Sequence, residues 1–255
     1  MDDSQLLRYS RHILLDELGP DAQAAFAASH ALVVGVGGLG APVAHFLTAA
    51  GVGTITLCDA DRVDLTNLQR QILYATADIG HPKVEAAAKR LAAINPDVTL
   101  ALVDARVGAP ELARLTDAAD VVVDCSDNFE TRHAVNRACV GARTPLVSGA
   151  AIRFDGQVAV FDARDAASPC YHCLFGEGDA LEETRCATMG VFAPLVGIVG
   201  ATQAAEALKL IAGAGESLVG RLLLIDALTM QWRELRVPRD PDCPVCSTRD
   251  VVSSS

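Results

Sequence analysis

The sequence predicts an α/β fold in which helices cover both faces of a largely parallel β-sheet. Short, valine-rich apolar runs alternate with amphipathic helical stretches over residues 31–150, which is typical of strands buried on both faces. A glycine-rich turn directly follows the first of these runs. The pattern changes after about Phe154, and residues 231–237 alternate as an antiparallel strand does.

Local signals along the chain place the individual elements. Residues 5–28 are predicted to be helical, with an apolar stripe through Leu6, Leu7, Ile13 and Leu14. Pro42 and Gly51 are typical of the start and the end of one helix, and Asn95-Pro96 ends another. The other predicted elements are strands at 31–36, 54–59, 98–103, 121–126, 145–150, 157–161, 222–225 and 231–237, and helices at 41–50, 83–94, from Pro110, at 130–142 and within 191–214.

Composition sets the general class of the protein. The chain has 255 residues, 51% of them hydrophobic, so we expect one domain over 1–255 with a core at about 28–154 and a C-terminal part at about 155–250. The formal net charge of −11 argues against a nucleic-acid partner. The N-terminus lacks a secretory signal, and the apolar segment 191–214 contains Gln203 and other polar residues, so we expect a cytoplasmic protein with no membrane span.

The glycine-rich turn predicts a nucleotide site. Gly35, Gly37 and Gly40 form a Gly-x-Gly-x-x-Gly motif between a strand and a helix, where backbone N–H groups and the helix N-terminus can bind phosphate. Asp59 ends the next strand about 20 residues later, where a carboxylate can bind ribose hydroxyls. The predicted fold is therefore Rossmann-like.

The polar segment at 61–71 replaces the amphipathic helix expected after the second strand. Asn67 and Arg70 are three residues apart, so one helical turn would place them on the same face. Arg70 and Lys83 could then hold the β- and γ-phosphates of a nucleotide. A solvated connecting helix with incidental charges is the alternative interpretation.

Asp127 and Asn128 follow the fourth strand and face the same predicted crevice. A carboxylate at this place can hold Mg²⁺ beside a triphosphate. Either residue could instead cap the next helix, and both roles can coexist.

Eight cysteines in a chain without a secretory signal indicate metal or redox chemistry. Two Cys-x-x-Cys pairs, Cys170/Cys173 and Cys243/Cys246, match a tetrahedral zinc site that would fasten the C-terminal part. A redox dithiol is the alternative. Cys186, in a polar segment beside Arg185, is the candidate reactive thiol. Cys58, Cys125 and Cys139 fit buried apolar positions.

Together these pieces resemble the MoeB/ThiF (HesA) family, the bacterial relatives of ubiquitin-activating enzymes. The resemblance covers nearly the whole chain in order. The matching stretches are Arg8-Tyr-Ser-Arg11, Val36-Gly-Gly-Leu-Gly40, Ala50-Gly-Val-Gly53, Asn67-Leu-Gln-Arg-Gln71, Pro82-Lys83, Asp124-Cys-Ser-Asp-Asn128 and the two Cys-x-x-Cys pairs.

The resemblance implies an adenylyltransferase that uses ATP and Mg²⁺ to activate a small ubiquitin-like sulfur carrier ending in Gly-Gly. It implies a homodimer in which Arg11 reaches the partner's phosphates, and a separate sulfur donor. Cys186 matches a position where some members bond to the carrier. By resemblance, the nucleotide site comprises Gly35, Gly37, Gly38, Gly40, Asp59, Thr66, Asn67, Leu68, Gln69, Arg70, Lys83, Asp127 and Asn128.

The resemblance leaves the carrier open. The stretch Val147–Arg153 with Gly156-Gln157 favours MoeB-like enzymes, which serve molybdopterin synthase, whereas Gln231-Trp-Arg233 favours ThiF-like enzymes, which serve thiazole synthesis. We favour the MoeB-like interpretation. More distant alternatives are a cyclase that modifies a tRNA adenosine, an NAD-dependent oxidoreductase and a non-catalytic nucleotide-binding scaffold.

Overall fold

The computed structural model describes residues 1–176 and 189–247, and its eight strands form one mixed sheet. The strands are β1 His30–Val34, β2 Thr54–Cys58, β3 Thr99–Val103, β4 Val121–Asp124, β5 Leu146–Ile152, β6 Asp155–Phe161, β7 Arg221–Asp226 and β8 Gln231–Arg236. The helices are α1 Asp3–Arg8, α2 Ser10–Ile13, α3 Gly19–Ala28, α4 Gly40–Ala50, α5 Lys83–Ile94, α6 Ala109–Asp117, α7 Phe129–Ala142, α8 Tyr171–Leu174 and α9 Ala193–Ala212, with 3-10 turns at Leu65–Asn67 and Thr76–Asp78.

The sheet has the order β3-β2-β1-β4-β5-β6-β7-β8. Strands β1 to β5 run parallel, and β6, β7 and β8 each run antiparallel to the strand before. The chain leaves β1 toward β2 on one side and returns on the other side through β4, so the order reverses between β1 and β4. Open α/β sheets bind their ligands at the carboxyl ends of the strands at such a point. The predicted fold class is confirmed.

Two apolar layers cover the sheet. Helices α4, α5 and α9 bury Leu47, Leu91 and Val199 against one face, and α6, α7 and α8 bury apolar side chains against the other. The edge strand β3 is the exception, since its side chains are exposed or half-buried. The sequence pattern predicted strands that are buried on both faces. Strand β3 pairs only with β2 and its other edge is open, so its side chains need not be continuously buried.

The N-terminal residues 5–28 are largely helical, as predicted, but they do not form one continuous helix. The chain forms α1, α2 and α3 instead, with Pro20 in the first turn of α3. Proline has no N–H to donate and its ring clashes with a preceding helical turn, so it starts a helix but does not continue one.

Helix α9 is the one helix within residues 1–176 and 189–247 that is long and apolar enough to span a membrane. It packs instead against the sheet, with Leu195 and Ala207 buried in the core. Its buried Gln203 amide donates to the Asp124 carbonyl oxygen at 2.8 Å, and Glu206 accepts a bond from the Leu218 N–H at 2.8 Å. The expected core helix is therefore present.

Candidate nucleotide site and cysteine cluster

The glycine turn lies at the point where the strand order reverses. Gly35 follows β1 with a φ of +86°, and a Cβ there would lie 2.8 Å from the Cys125 carbonyl oxygen. A Cβ on Gly40 would overlap the Gly35 carbonyl oxygen. Both positions therefore require glycine, one for its backbone conformation and the other for close packing of α4 against the turn. Gly37 and Gly38 lie between them and are half-buried.

Asp59 is held against this turn at the end of β2. One carboxylate oxygen accepts the Val36 N–H at 2.7 Å, and the other accepts the Asp61 N–H at 2.8 Å. Burial raises the pKa of Asp59, while the nearby Lys83 ammonium and these two hydrogen bonds oppose the rise. Each oxygen retains a second lone pair, so the carboxylate can still accept bonds from ribose hydroxyls.

Lys83 brings a buried positive charge to the same place. It is the first residue of α5, and its Nζ lies 2.8 Å from an Asp61 oxygen and 4.0 Å from an Asp59 oxygen. The positive end of the helix dipole repels the Lys83 ammonium. The two carboxylates offset this repulsion, and a bound phosphate would do the same. The Asp61 side chain is 63% exposed, which makes this ion pair weak and open to competition from a phosphate.

Asn67 and Arg70 contact each other, as their spacing predicts. A short 3-10 turn that Asp64 caps at Thr66 contains Asn67, and Arg70 donates from Nη2 to the Asn67 Oδ1 at 2.7 Å. A second bond runs from Arg70 Nη1 to the Thr66 carbonyl oxygen at 3.1 Å. These bonds fix the guanidinium before any ligand arrives.

The other two residues of this stretch differ in environment. Leu68 packs against the core, so its side chain serves the fold and only its backbone could meet a nucleotide. Gln69 is exposed.

The loop after β4 separates the two interpretations of Asp127 and Asn128. Asn128 is the N-cap of α7, because its Oδ1 accepts the Thr131 N–H at 2.8 Å. Asp127 is exposed, with an oxygen 3.5 Å from Asn128 Nδ2. Asp127 is therefore not needed as a cap, and its carboxylate can take a metal ion.

Two buried charged residues, Asp124 and Arg132, lie beneath this loop, and sequence reasoning missed them. Asp124 is fully buried and accepts bonds from the Ser126 N–H and hydroxyl at 3.0 and 2.6 Å. Arg132 donates to the Ser126 carbonyl oxygen at 2.8 Å and to the Gly149 carbonyl oxygen at 3.3 Å. Burial raises the pKa of Asp124, and the Arg132 charge opposes that rise. The sequence signal was the four-residue spacing between Asn128, the N-cap of α7, and Arg132, which places both on one side of the helix.

Arg11 is exposed on the half-buried helix α2, and the preceding residues Arg8 and Tyr9 contact the end of α5 opposite Lys83. Arg8 donates to the Ile94 carbonyl oxygen at 2.9 Å, and the Asn95 amide donates to the Tyr9 hydroxyl at 2.8 Å. Helix α5 thus carries Lys83 at its start and anchors the Arg11 segment at its end.

The four paired cysteines converge as predicted. The Sγ atoms of Cys170, Cys173, Cys243 and Cys246 all lie within 4.8 Å of one another, and the shortest separations are 3.5, 3.7 and 3.9 Å. A tetrahedral zinc site with bonds of about 2.3 Å requires about 3.8 Å between sulfurs, whereas a disulfide requires about 2.0 Å. The arrangement is compatible with zinc, and we refer to these residues as the four-cysteine cluster.

The remaining cysteines fall into two groups. Cys58, Cys125 and Cys139 are buried as predicted, and burial raises the pKa of Cys58 to about 11. Such thiols are poor nucleophiles. Cys186 lies outside the described residues.

The fold and the site define a nucleotide-binding α/β protein, and comparison with known proteins gives its family. A family model described as the ThiF family matches residues 9–245. The chain belongs to the ThiF family, which confirms the resemblance found in the sequence.

Among the relatives that match this chain almost end to end are two from Escherichia coli. The chain is 46% identical over 249 residues to the molybdopterin-synthase adenylyltransferase of Escherichia coli (strain K12), covering 96% of this chain and 98% of that protein. It is 44% identical over 246 residues to the sulfur carrier protein ThiS adenylyltransferase of the same strain, covering 96% and 97%. Among solved structures, E. coli MccB with ATP matches 94% of this chain and 73% of that chain with a TM-score of 0.83, at 25% identity.

Proposed function

We propose that this chain adenylates the C-terminal Gly-Gly carboxylate of a small ubiquitin-like sulfur carrier, namely the carrier of molybdopterin synthase. The observation that carries the proposal is that Lys83 and Asp59 lie together at the glycine turn, with Lys83 Nζ 4.0 Å from an Asp59 oxygen and Asp59 accepting the Val36 N–H. In this proposal Arg70 and Asp127 face the same crevice, since Asp127 follows β4 and β4 pairs with β1 beside the turn. The 46% identity to a molybdopterin-synthase adenylyltransferase supports the choice of reaction and carrier.

In the proposed reaction, an oxygen of the carrier's terminal carboxylate attacks the α-phosphorus of ATP. The bond from that phosphorus to the oxygen bridging the β-phosphorus breaks, and pyrophosphate leaves with the electron pair. The carrier is left as an acyl-adenylate. This chemistry requires aligned reactants and neutralised phosphate charge rather than a protein nucleophile.

In the proposed reaction each residue of the site has a task. Backbone N–H groups around Gly38 approach the phosphates, and Asp59 accepts bonds from the ribose. Arg70, steadied by Asn67, neutralises phosphate charge. Lys83 does the same once a phosphate displaces Asp61 from its ammonium.

Two metal ions belong to the proposal. Asp127 would hold Mg²⁺, which when bound neutralises charge on the triphosphate. The four-cysteine cluster would hold a structural Zn²⁺ that fastens the C-terminal part to the rest of the fold.

The proposal also includes the oligomeric state of the protein and its cellular location. We propose a cytoplasmic homodimer of single-domain subunits, each supplying Arg11 to the phosphates of the other. A separate protein would donate sulfur. Cys186 would act only after adenylation, if it reacts.

The test is ATP–pyrophosphate exchange with the molybdopterin-synthase carrier and the thiazole carrier side by side. Each carrier has a matched control that lacks its last glycine. We expect exchange with the intact molybdopterin-synthase carrier and none with its truncated form. Exchange that is equal without the terminal glycine would contradict activation of that carboxylate.

The second candidate function is ThiF-like adenylation of the thiazole carrier, which the 44% identity to a ThiS adenylyltransferase favours. Exchange that depends on the thiazole carrier alone would establish it. Binding of NAD rather than ATP would indicate an oxidoreductase. Absence of exchange with either carrier would favour a tRNA-modifying cyclase or a nucleotide-binding scaffold.

A further inference from the structure

Asn136 is a residue of helix α7 that lies against the four-cysteine cluster and is 1% exposed. Its Oδ1 accepts a hydrogen bond from the Tyr171 N–H at 2.9 Å, and its Nδ2 lies 3.6 Å from Cys170 Sγ. A backbone N–H can only donate, so the amide oxygen must face Tyr171 and the NH₂ group must face the sulfur. The geometry therefore fixes Asn136 as a donor to Cys170.

The sulfur that receives this bond is part of the four-cysteine cluster. Cys170 Sγ is 3.7 Å from Cys243 Sγ and 3.9 Å from Cys173 Sγ. Four thiolates around a divalent ion leave a net charge of about −2, and half-buried Val140 and Val245 pack against the cluster. In such surroundings each N–H donor to a thiolate lowers the cost of that charge and orients the ligand.

Helix α7 connects this bond to the loop after β4. Asn128, Arg132 and Asn136 are four residues apart and therefore lie along one face of the helix. Asn128 caps the helix next to Asp127, and Arg132 donates to the Ser126 carbonyl oxygen. One helix face is thus bonded to the nucleotide loop at its start and to the four-cysteine cluster two turns later.

We propose that Asn136 is an outer-shell ligand of the zinc site, and that through this bond zinc binding holds helix α7 and the loop that carries Asp127. The proposal relies on zinc in the four-cysteine cluster, as proposed above. It does not rely on adenylation, and none of its tests uses ATP or a carrier.

The first test measures metal affinity in the full-length protein by competition with a chromophoric chelator. Asn136→Ala removes the donor, and Asn136→Asp keeps an acceptor for Tyr171 while placing an oxygen against the sulfur. We expect a loss of about 10–100-fold in zinc affinity for Asn136→Ala and a larger loss for Asn136→Asp. Asn128→Ala is the control for a general weakening of the helix, because it removes the N-cap bond without touching a cysteine, and its loss of zinc affinity should be well below that of Asn136→Ala.

A second readout follows the sulfur itself. In the Co²⁺-substituted protein, loss of the N–H···S bond should move the thiolate-to-cobalt charge-transfer band to lower energy in both Asn136 variants and not in Asn128→Ala. Folded Asn136 variants with wild-type zinc affinity and an unmoved band would overturn the assignment. If Asn136→Ala does not fold, Asn136→Asp decides the question alone.

Hydrogen exchange tests the connection through the helix. Removal of zinc from the wild-type protein should speed amide exchange in α7 and leave α5, on the other face of the sheet, unchanged. Unchanged exchange in α7 would overturn the coupling.

Discussion

Gly40 and Gly38, in the turn between β1 and α4, should respond in opposite ways to one added methyl group. A Cβ on Gly40 would overlap the Gly35 carbonyl oxygen, a backbone atom that cannot rotate away. A Cβ on Gly38 would meet the Val196 side chain at 3.4–3.5 Å, which is an ordinary contact, and the φ of Gly38 is not left-handed. Gly40→Ala therefore strains the fold, whereas Gly38→Ala changes only the surface that a phosphate would approach.

The contacts set the expected magnitudes. The overpacking caused by Gly40→Ala should lower the free energy of unfolding by about 1–3 kcal/mol. In a chain of this size each kcal/mol lowers Tm by about 2–4 °C, so Gly40→Ala should melt about 2–12 °C below the wild type. Gly38→Ala should change the unfolding free energy by no more than about 0.5 kcal/mol. It should weaken ATP binding at least about tenfold, or about 1.4 kcal/mol, because the methyl group occupies the phosphate approach.

Calorimetry measures both quantities, with melting scans for Tm and titration for the ATP Kd. Gly141→Ala is the matched control, because no atom lies within 4 Å of its Cβ position in α7. That control should keep wild-type ATP affinity and lose no stability. Wild-type ATP affinity in Gly38→Ala would refute the backbone–phosphate contact, and a wild-type Tm in Gly40→Ala would refute the tight packing of the turn.

Four further predictions follow from the site and the cysteine cluster. Asp127→Ala should abolish pyrophosphate exchange without changing Tm, and exchange at the wild-type rate would contradict its role with Mg²⁺. Lys83→Met should raise the pKa of Asp59 further, because Lys83 opposes the effect of burial. A carboxyl group whose pKa is raised in the folded state stabilises the fold while it is protonated, and this stability is lost as the pH rises. Urea denaturation of the nucleotide-free variant should therefore show a greater fall in the free energy of unfolding than the wild type as the pH rises above about 4, the pKa of an unfolded Asp. Equal falls would count against this pairing. Cys186→Ala should retain exchange, and its loss in a folded variant would place the thiol in the adenylation step. Chelation of the metal should lower Tm, so an unchanged Tm would rule out a structural metal ion.

Local sequence patterns predicted most of the fold, because each of these patterns results from one dominant physical constraint. The helix at 83–94 matches α5 at both ends, since Pro82 and Asn95-Pro96 limit it. The Cys-x-x-Cys spacings predicted the cluster although 73 residues separate the pairs. The helical prediction over 5–28 holds for most of that stretch, but it did not show the breaks between α1, α2 and α3, the last of which starts at Gly19-Pro20.

The parts of the site that escaped prediction depend on tertiary contacts. Asp124 stands at the end of a predicted strand and Arg132 lies within a predicted helix, and neither position signals burial. Their burial and their shared bonds to Ser126 arise only when α7 packs beneath the loop. Asn136 gave no signal at all, because its bond to Cys170 joins residues 34 apart in the chain.

The most direct test of the proposed activity is to follow the phosphorus atoms of ATP. The enzyme is incubated with Mg²⁺, the intact molybdopterin-synthase carrier and ATP labelled at either the α- or the γ-phosphate. Adenylation predicts that the α-label joins the carrier and that the γ-label leaves in pyrophosphate. A γ-label on the carrier, which would mean an acyl phosphate, would contradict the proposed reaction.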